Sequence, residues 1–109
     1  MNVTLHTTNN ILILTIEGSI DSKTAGDLQN QIMDSVADAK NIIMNLSAVE
    51  FLSSAGLRIL LMVYRQLKAR NGKIILVGVS EDIRDVMEMT GFINFFEIHQ
   101  TLEQAYTQF

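Results

Sequence analysis

The chain of 109 residues contains no cysteine, no proline and no tryptophan. Without cysteine it can form neither a disulfide framework nor a thiolate nucleophile. It also lacks an apolar run of the roughly 18 residues that a membrane helix needs. Its first ten residues carry no lysine or arginine of the kind that opens a signal peptide. We therefore expect a cytoplasmic protein with no membrane insertion.

Basic residues and histidines are scarce. Eight lysines and arginines against twelve acidic residues give a net charge of −4, and we expect no DNA or RNA contact because phosphate binding needs clustered cations. The only two histidines, His6 and His99, have no neighbours at the spacing of metal ligands. No glycine-rich phosphate-binding motif is present. The sequence therefore predicts a protein without a metal or a cofactor.

Hydrophobic residues make up 48% of the chain and follow the periods of strands and helices in alternation. Asn9-Asn10 predicts a hairpin turn between the first two of five apolar runs. The third run is expected to end at Leu46 and to be followed by a connection through residues 47–50. The last run should combine a short turn with an edge strand. The predicted strands lie within residues 3–5, 11–16, 41–46, 73–79 and 92–98.

Four helices are predicted around these strands. The first should run roughly from Ser22 to Ala37, with Asp21 or Ser22 as its N-cap. The second should begin at Ser53-Ser54 and end at Asn71-Gly72, where glycine accepts a left-handed conformation. The inner face of this second helix is expected to consist of Leu57, Leu60, Leu61, Tyr64, Leu67 and Lys68, widened by Met62 and Val63.

The third helix is predicted to start at the N-cap Ser80 and to stop at Gly91, with Ile83, Val86 and Met87 inward. The fourth lies between Thr101 and Phe109, with Leu102, Ala105 and Tyr106 inward. Strands and helices that alternate in this way form parallel strand pairs. The predicted fold class is therefore α/β: one domain over residues 1–109, with a mixed, mostly parallel sheet of about five strands packed against about four helices.

The two serines at the start of the second helix have the setting of a hydrolase nucleophile elbow. That motif needs glycine two residues before the serine, and Leu52 stands there instead. A catalytic triad would also need His6 or His99 at the serine with a carboxylate behind it, and nothing in the sequence supports that. We therefore expect a protein that is not an enzyme and has no catalytic residue.

Taken by themselves, Ser53 and Ser54 allow two roles. Either can cap the helix, which is worth about 1 kcal/mol. Either can also be a phosphoacceptor, because the small residues Ala55 and Gly56 leave the approach to the hydroxyls open and a helix N-terminus favours negative charge. The residues themselves do not decide between the two roles.

Four segments together resemble the STAS domain family, and most closely its small bacterial anti-sigma factor antagonists. These segments are Ile16–Asp21, Ile43–Ser47, Val49–Arg58 and Met89–Phe92. In such antagonists the typical motif is Asp-Ser-Ser/Thr-Gly-Leu, and the serine directly after the aspartate is phosphorylated. The resemblance implies that Ser54 is the phosphoacceptor. Ser53 stands in place of the aspartate and Ala55 in place of the next hydroxyl residue, which makes Ser53 a second candidate acceptor.

The resemblance also implies a mechanism. The unphosphorylated form would bind an anti-sigma factor of the serine-kinase type and free a sigma factor, phosphorylation of Ser54 would block that binding, and a serine phosphatase would restore it. An alternative is a non-phosphorylated STAS subunit of a larger assembly, such as a lipid-transport complex or a signalling scaffold, which the missing aspartate favours. The residues expected to contact the partner are Asp21, Ser22, Ser53, Ser54, Ala55, Gly56 and Arg58.

Overall fold

A computed structural model describes all residues, 1–109, and contains one five-stranded sheet in the order β1-β2-β3-β4-β5. The strands are β1 (Asn2–Thr8), β2 (Ile11–Ile20), β3 (Asn41–Leu52), β4 (Lys73–Val77) and β5 (Glu97–His99). The helices are α1 (Ala25–Asp38), α2 (Ser54–Ala69), α3 (Glu81–Thr90) and α4 (Leu102–Tyr106), with a 3₁₀ turn over Phe92–Phe95. The predicted fold class is confirmed. None of the helices combines the length and the hydropathy that crossing a bilayer demands.

The hairpin at the start of the chain supplies the one antiparallel pair of the sheet. Asn9 and Asn10 both have positive φ values, 50° and 65°, as a two-residue hairpin turn of the right twist requires. The other neighbours, β2 to β5, pair in parallel, and each crossover contains one of the helices α1, α2 and α3. The predicted turn and the predicted parallel crossovers are therefore both present.

Both faces of the sheet are covered by helices, which explains why the central strands are apolar throughout. Successive residues of β2, β3 and β4 alternate between two groups of buried side chains. The larger group lies under α1, α2 and α3 and includes Leu12, Leu14, Ile42, Met44, Ile74 and Leu76. The smaller group lies on the α4 side of the sheet. It consists of the strand residues Ile11, Ile13, Ile43, Ile75 and Val77 together with Ala105 of α4 itself.

Strand β3 is twice as long as its apolar run suggests. It continues to Leu52, so the predicted strand end at Leu46 and the connection through residues 47–50 were wrong. The register between β2 and β3 shifts twice, at Thr15/Glu17 and at Gly18/Ser19. These irregularities place buried side chains three residues apart, at Leu46, Val49 and Leu52. That spacing hides the period of two by which a strand is recognised in a sequence.

Helix α2 differs from its prediction in its inner face and at its end. Ile59, which was not predicted on that face, is buried, whereas Lys68 is exposed. Asn71, with φ 59°, takes the left-handed position expected of Gly72. Gly72 is required there for another reason: a Cβ on it would lie 2.2 Å from the carbonyl oxygen of Lys40.

The last two helices contact the rest of the protein through narrow stripes. Ser80 caps α3 through a hydrogen bond from the Ile83 amide (3.2 Å), and Gly91 ends it at φ 79°, as predicted. The predicted inward position of Val86 was wrong, because only Ile83 and Met87, one turn apart, are buried in α3. Tyr106 of α4 is likewise exposed, since Ala105 alone of that short helix is fully enclosed.

Candidate functional site

The ends of β2 and β3 bring two sequence-distant segments together at the carboxyl edge of the sheet. Ile20 and Leu52 form the last pair of the two strands. The Ser53 amide then donates a hydrogen bond of 2.9 Å to the Ile20 carbonyl oxygen. Asp21 and Ser53, which follow these strand ends, are therefore neighbours. We call residues 21–24 and 53–58 the junction surface.

The first part of the junction surface is a turn organised by Asp21. Its Oδ1 atom accepts hydrogen bonds from the amides of Lys23 (2.8 Å) and Thr24 (3.0 Å). Such bonds from a nearby backbone amide to an aspartate side chain are typical of an Asx turn. Thr24 completes it: its hydroxyl accepts from the Asp21 amide and donates to the Ser19 carbonyl, both at 2.9 Å. Ser22 and Lys23 remain exposed at its tip.

This turn corrects the predicted start of the first helix. Helix α1 begins at Ala25, not at Ser22, and its N-cap is Thr24 rather than Asp21 or Ser22. The carboxylate of Asp21 is used one turn earlier, where it satisfies the amides that precede the helix. Thr24 was not among the predicted site residues. The Asp-x-x-Thr spacing, which allows reciprocal side-chain and backbone bonds, is the signal that could have identified it.

The amides of Lys23 and Thr24 hold the pKa of Asp21 below its ordinary value of 3.8. Because the folded pKa is depressed, ionised Asp21 stabilises the fold above pH 3.8, and that contribution is lost as the pH falls through the lower folded value. We expect Asp21→Asn to unfold at a lower temperature than the wild type at neutral pH. The difference should shrink as the pH falls below 3.8 and through the lower folded pKa, because Asp21 then becomes neutral, as asparagine is at every pH. Thermal unfolding followed across this range checks it, and a constant difference would contradict the assignment.

The second part of the junction surface is the N-terminus of α2, where the two serines have different roles. The Ser53 Oγ atom accepts a hydrogen bond from the Gly56 amide (3.3 Å), and the Ser53 carbonyl accepts from Leu57 (2.9 Å). Ser53 is thus the N-cap. Ser54 is the first helical residue, and its side chain is exposed and forms no hydrogen bond within the protein.

We expect Ser53→Ala to lower the free energy of unfolding by about 1 kcal/mol, because the Gly56 amide loses its acceptor. Ser54→Ala is the matched control, since it removes the same hydroxyl from the next residue. It should change stability by less than about 0.5 kcal/mol. Urea unfolding of both variants measures the difference. Equal losses in the two variants would show that the capping role is shared.

The remaining predicted site residues differ in how they can act. Gly56 is buried, so it positions the helix instead of offering a surface to a partner. Ala55 is half-buried, and Arg58 is exposed with no ion pair. Arg58 is the fifth residue of α2.

One exposed aromatic beside the junction surface was not predicted to have a role. Phe51 is 54% exposed and lies two residues before the N-cap Ser53. Aromatic side chains are frequent anchors of protein interfaces. Phe51 lies in the part of β3 whose register with β2 is irregular, so no regular alternation in the sequence indicates that its side chain is exposed.

The junction surface has the features of a binding site for another protein. It carries exposed hydroxyl and cationic side chains, lies beside the exposed Phe51, and contains neither histidine nor cysteine. No cluster of three potential metal ligands exists anywhere in the protein. Fold and surface together define a small α/β domain with an exposed junction surface at the carboxyl edge of its sheet.

The STAS domain family model matches residues 2–105, and the chain belongs to this family. RsfB, an anti-sigma-F factor antagonist from Mycobacterium tuberculosis, is 33% identical over 108 residues, which cover 98% of this chain and 88% of RsfB. The predicted family is thereby confirmed. STAS-type anti-sigma factor antagonists are regulatory binding proteins and not enzymes, in agreement with the prediction from the sequence.

Solved structures extend the likeness to three dimensions. The crystal structure of an anti-sigma factor antagonist from Mycobacterium paratuberculosis is 31% identical, with a TM-score of 0.88 over 98% of this chain and 92% of that one. The phosphorylated form of the Bacillus protein SpoIIAA is 23% identical, with a TM-score of 0.76 over 98% of both chains. At 23% identity, the comparison with SpoIIAA shows that the two proteins have the same fold and no more than that. The role of Ser54 stays a prediction.

Proposed function

We propose that this chain is an anti-sigma factor antagonist whose binding is controlled by phosphorylation of Ser54. The unphosphorylated junction surface binds an anti-sigma factor of the serine-kinase type and thereby frees a sigma factor. Phosphorylation of Ser54 blocks the contact, and a serine phosphatase restores it. The observation that carries the proposal is the division of roles at α2: Ser53 caps the helix, which leaves the exposed Ser54 hydroxyl available.

The fold can accept a phosphate at this position without unfolding. The amides of Ser54 and Ala55 donate no hydrogen bond within the protein and lie at the positive end of the α2 dipole. A phosphate group carries a charge of roughly −1.5 to −2 and can accept hydrogen bonds from such amides. The helix dipole stabilises it there by about 0.3–1 kcal/mol. The first turn of α2 contains no acidic residue that would repel it.

The same charge acts differently at an interface. A partner that covers Ser54 in its hydroxyl form would have to desolvate or repel the phosphate, at a cost on the order of 2–5 kcal/mol. Because about 1.4 kcal/mol changes an affinity tenfold, the interface cost exceeds any gain within the fold. Phosphorylation therefore changes binding steeply and the folded state hardly at all, which is the behaviour of a switch.

Ser53 in place of the family's aspartate is compatible with this function. Serine keeps the capping role that an aspartate would have, as the bond from the Gly56 amide shows. It also removes a like charge next to a phosphorylated Ser54, where repulsion would oppose the modified form. The relatives support the proposal at the level of the family, since RsfB is an anti-sigma-F factor antagonist and SpoIIAA, which shares the fold, exists in a phosphorylated form.

Incubation with a cognate anti-sigma kinase and ATP tests the modification. We expect one phosphate on Ser54, because that hydroxyl is exposed while the Ser53 hydroxyl already accepts a bond from Gly56. Phosphopeptide mass spectrometry locates it. Ser54→Ala should abolish the modification and Ser53→Ala should leave it in place. A phosphate found on Ser53 alone, or on neither serine, would overturn the assignment.

The replacement of the family's aspartate by Ser53 is also the one observation that favours a second function, as a non-phosphorylated STAS subunit of a larger assembly. Purification from the native host separates the two functions. An antagonist co-purifies with a single kinase-type partner and carries phosphate in part of the population. An assembly subunit co-purifies with several components and carries none.

A further inference from the structure

The free edge of the sheet at β1 suggests an interaction that is independent of the proposed switch. β1 is the outermost strand, seven residues long, and pairs with β2 on one side only. Natural proteins protect such edges with lysine, proline, a bulge or a very short strand. β1 contains neither lysine nor proline, and its register with β2 continues through seven pairs without a bulge. The opposite edge strand, β5, has only three residues.

The register of the hairpin determines which backbone groups of β1 are unpaired. Thr8 and Ile11 flank the two-residue turn and form its closing pair. In an antiparallel ladder, hydrogen-bonded and non-hydrogen-bonded pairs then alternate along the strand. The N–H and C=O groups of every second residue point away from β2, and these residues are Val3, Leu5 and Thr7.

This set of three residues is symmetric about Leu5. If a second copy of the strand runs antiparallel with Leu5 at the two-fold axis, Leu5 faces itself and Val3 faces Thr7. Each of the three pairs can exchange two backbone hydrogen bonds. An interface in which the same patch occurs on both subunits is the usual basis of a closed dimer.

The side chains are also compatible with this register. Leu5 is 37% exposed, so the axis would bring two partly exposed leucines together on the side of the sheet that carries α1. On the other side Thr4 faces His6. No acidic or basic pair is opposed, because β1 contains no lysine, arginine, aspartate or glutamate.

We propose that β1 pairs with β1 of a second copy of this chain, antiparallel and centred on Leu5, to give a weak two-fold dimer with a continuous ten-stranded sheet. A single strand pair buries less than the roughly 800 Å² per partner of a stable complex. A dissociation constant between about 10 μM and 1 mM is therefore expected. The antiparallel arrangement points the carboxyl edges of the two sheets in opposite directions, so both junction surfaces stay accessible.

Sedimentation velocity over a concentration series up to about 1 mM tests the dimer, since even a millimolar association is detected there. Leu5→Lys and Leu5→Glu each place like charges opposite one another and should raise the dissociation constant about tenfold or more. An equimolar mixture of the two variants should associate again, because lysine then faces glutamate. A wild type that stays monomeric, or a mixture that does not associate, would overturn the proposal.

The absence of cysteine makes the register itself testable. Leu5→Cys introduces a single thiol at the axis, where two Cα atoms of a paired position lie within disulfide distance. It should form a covalent dimer on mild oxidation. Thr7→Cys, an exposed position on the same side of β1, is the control, because two copies of residue 7 would lie roughly 14 Å apart at about 3.4 Å per residue. Equal cross-linking of both variants would refute this register and show random collision instead.

Discussion

Replacing Ser54 with aspartate is expected to weaken binding to the anti-sigma partner by well over tenfold, while the melting temperature stays within about 4 °C of the wild type. The carboxylate adds negative charge at the first residue of α2, where the side chain is exposed and the neighbouring amides are free. Within the fold that charge is favoured by about 0.3–1 kcal/mol. Isothermal titration calorimetry with the purified partner and a parallel thermal scan measure the two effects.

Ser53→Asp is the matched control for this experiment. It adds the same charge one residue earlier, at the N-cap, where aspartate is a preferred residue. It also recreates the acid that anti-sigma factor antagonists typically have at this position. Binding by Ser53→Asp should therefore remain within about threefold of the wild type, a change of less than about 1 kcal/mol. Equal losses in the two variants would indicate general charge repulsion, and no loss with Ser54→Asp would exclude Ser54 from the interface.

Gly56→Ala is expected to destabilise the protein by about 1–3 kcal/mol, although alanine is the better helix former. A Cβ at Gly56 would lie 2.4 Å from the Leu52 Cδ1 atom, 2.9 Å from the Ile20 Cγ2 atom and 3.2 Å from the Ile20 carbonyl oxygen. Leu52 and Ile20 are buried in the core cluster, so a shift of either side chain would disturb its packed neighbours. Urea unfolding gives the size of the effect.

The position of Gly56 gives this prediction a functional consequence. The same strand ends hold Asp21 and Ser53 next to each other, so a displaced α2 would also displace the junction surface. Gly26→Ala is the control, since Gly26 lies in α1 and a Cβ added there would meet no atom within 4 Å. It should stabilise the protein by about 0.5 kcal/mol. If both glycine variants were more stable than the wild type, the steric cost of a Cβ at Gly56 would be smaller than the gain in helix propensity, and the prediction would be wrong.

Local rules were sufficient where neighbouring residues alone determine a conformation. The paired asparagines of the hairpin, the capping serine at residue 80 and the glycine that ends α3 were all predicted, because turn and cap geometry depends on residues a few positions apart. The order of strands and helices was predicted for the same reason, since a change of hydrophobic period is a local signal.

The candidate site was predicted less completely. Ser54 and Asp21 were assigned to one partner-binding surface only through the family resemblance. The residues themselves gave the two serines equivalent roles, and the structure shows that Ser53 is the one that accepts the bond from Gly56. The extension of β3 to Leu52 was missed because its register with β2 shifts twice. The exposed Phe51 was missed because it lies on that extension. Thr24 was missed although its bonds to Ser19 and Asp21 are local and follow from the Asp-x-x-Thr spacing.

The sequence by itself determined an α/β domain with a small-residue, hydroxyl-rich start to its second helix, because composition, period and capping are properties of short segments. Only the tertiary structure decided which serine is free. That choice depends on how β2 and β3 end together. The Ser53 amide donates a hydrogen bond to the Ile20 carbonyl oxygen, and the Ser53 hydroxyl then accepts one from the Gly56 amide. The contact between residues 20 and 53 is a long-range one, and no local pattern in either segment specifies it.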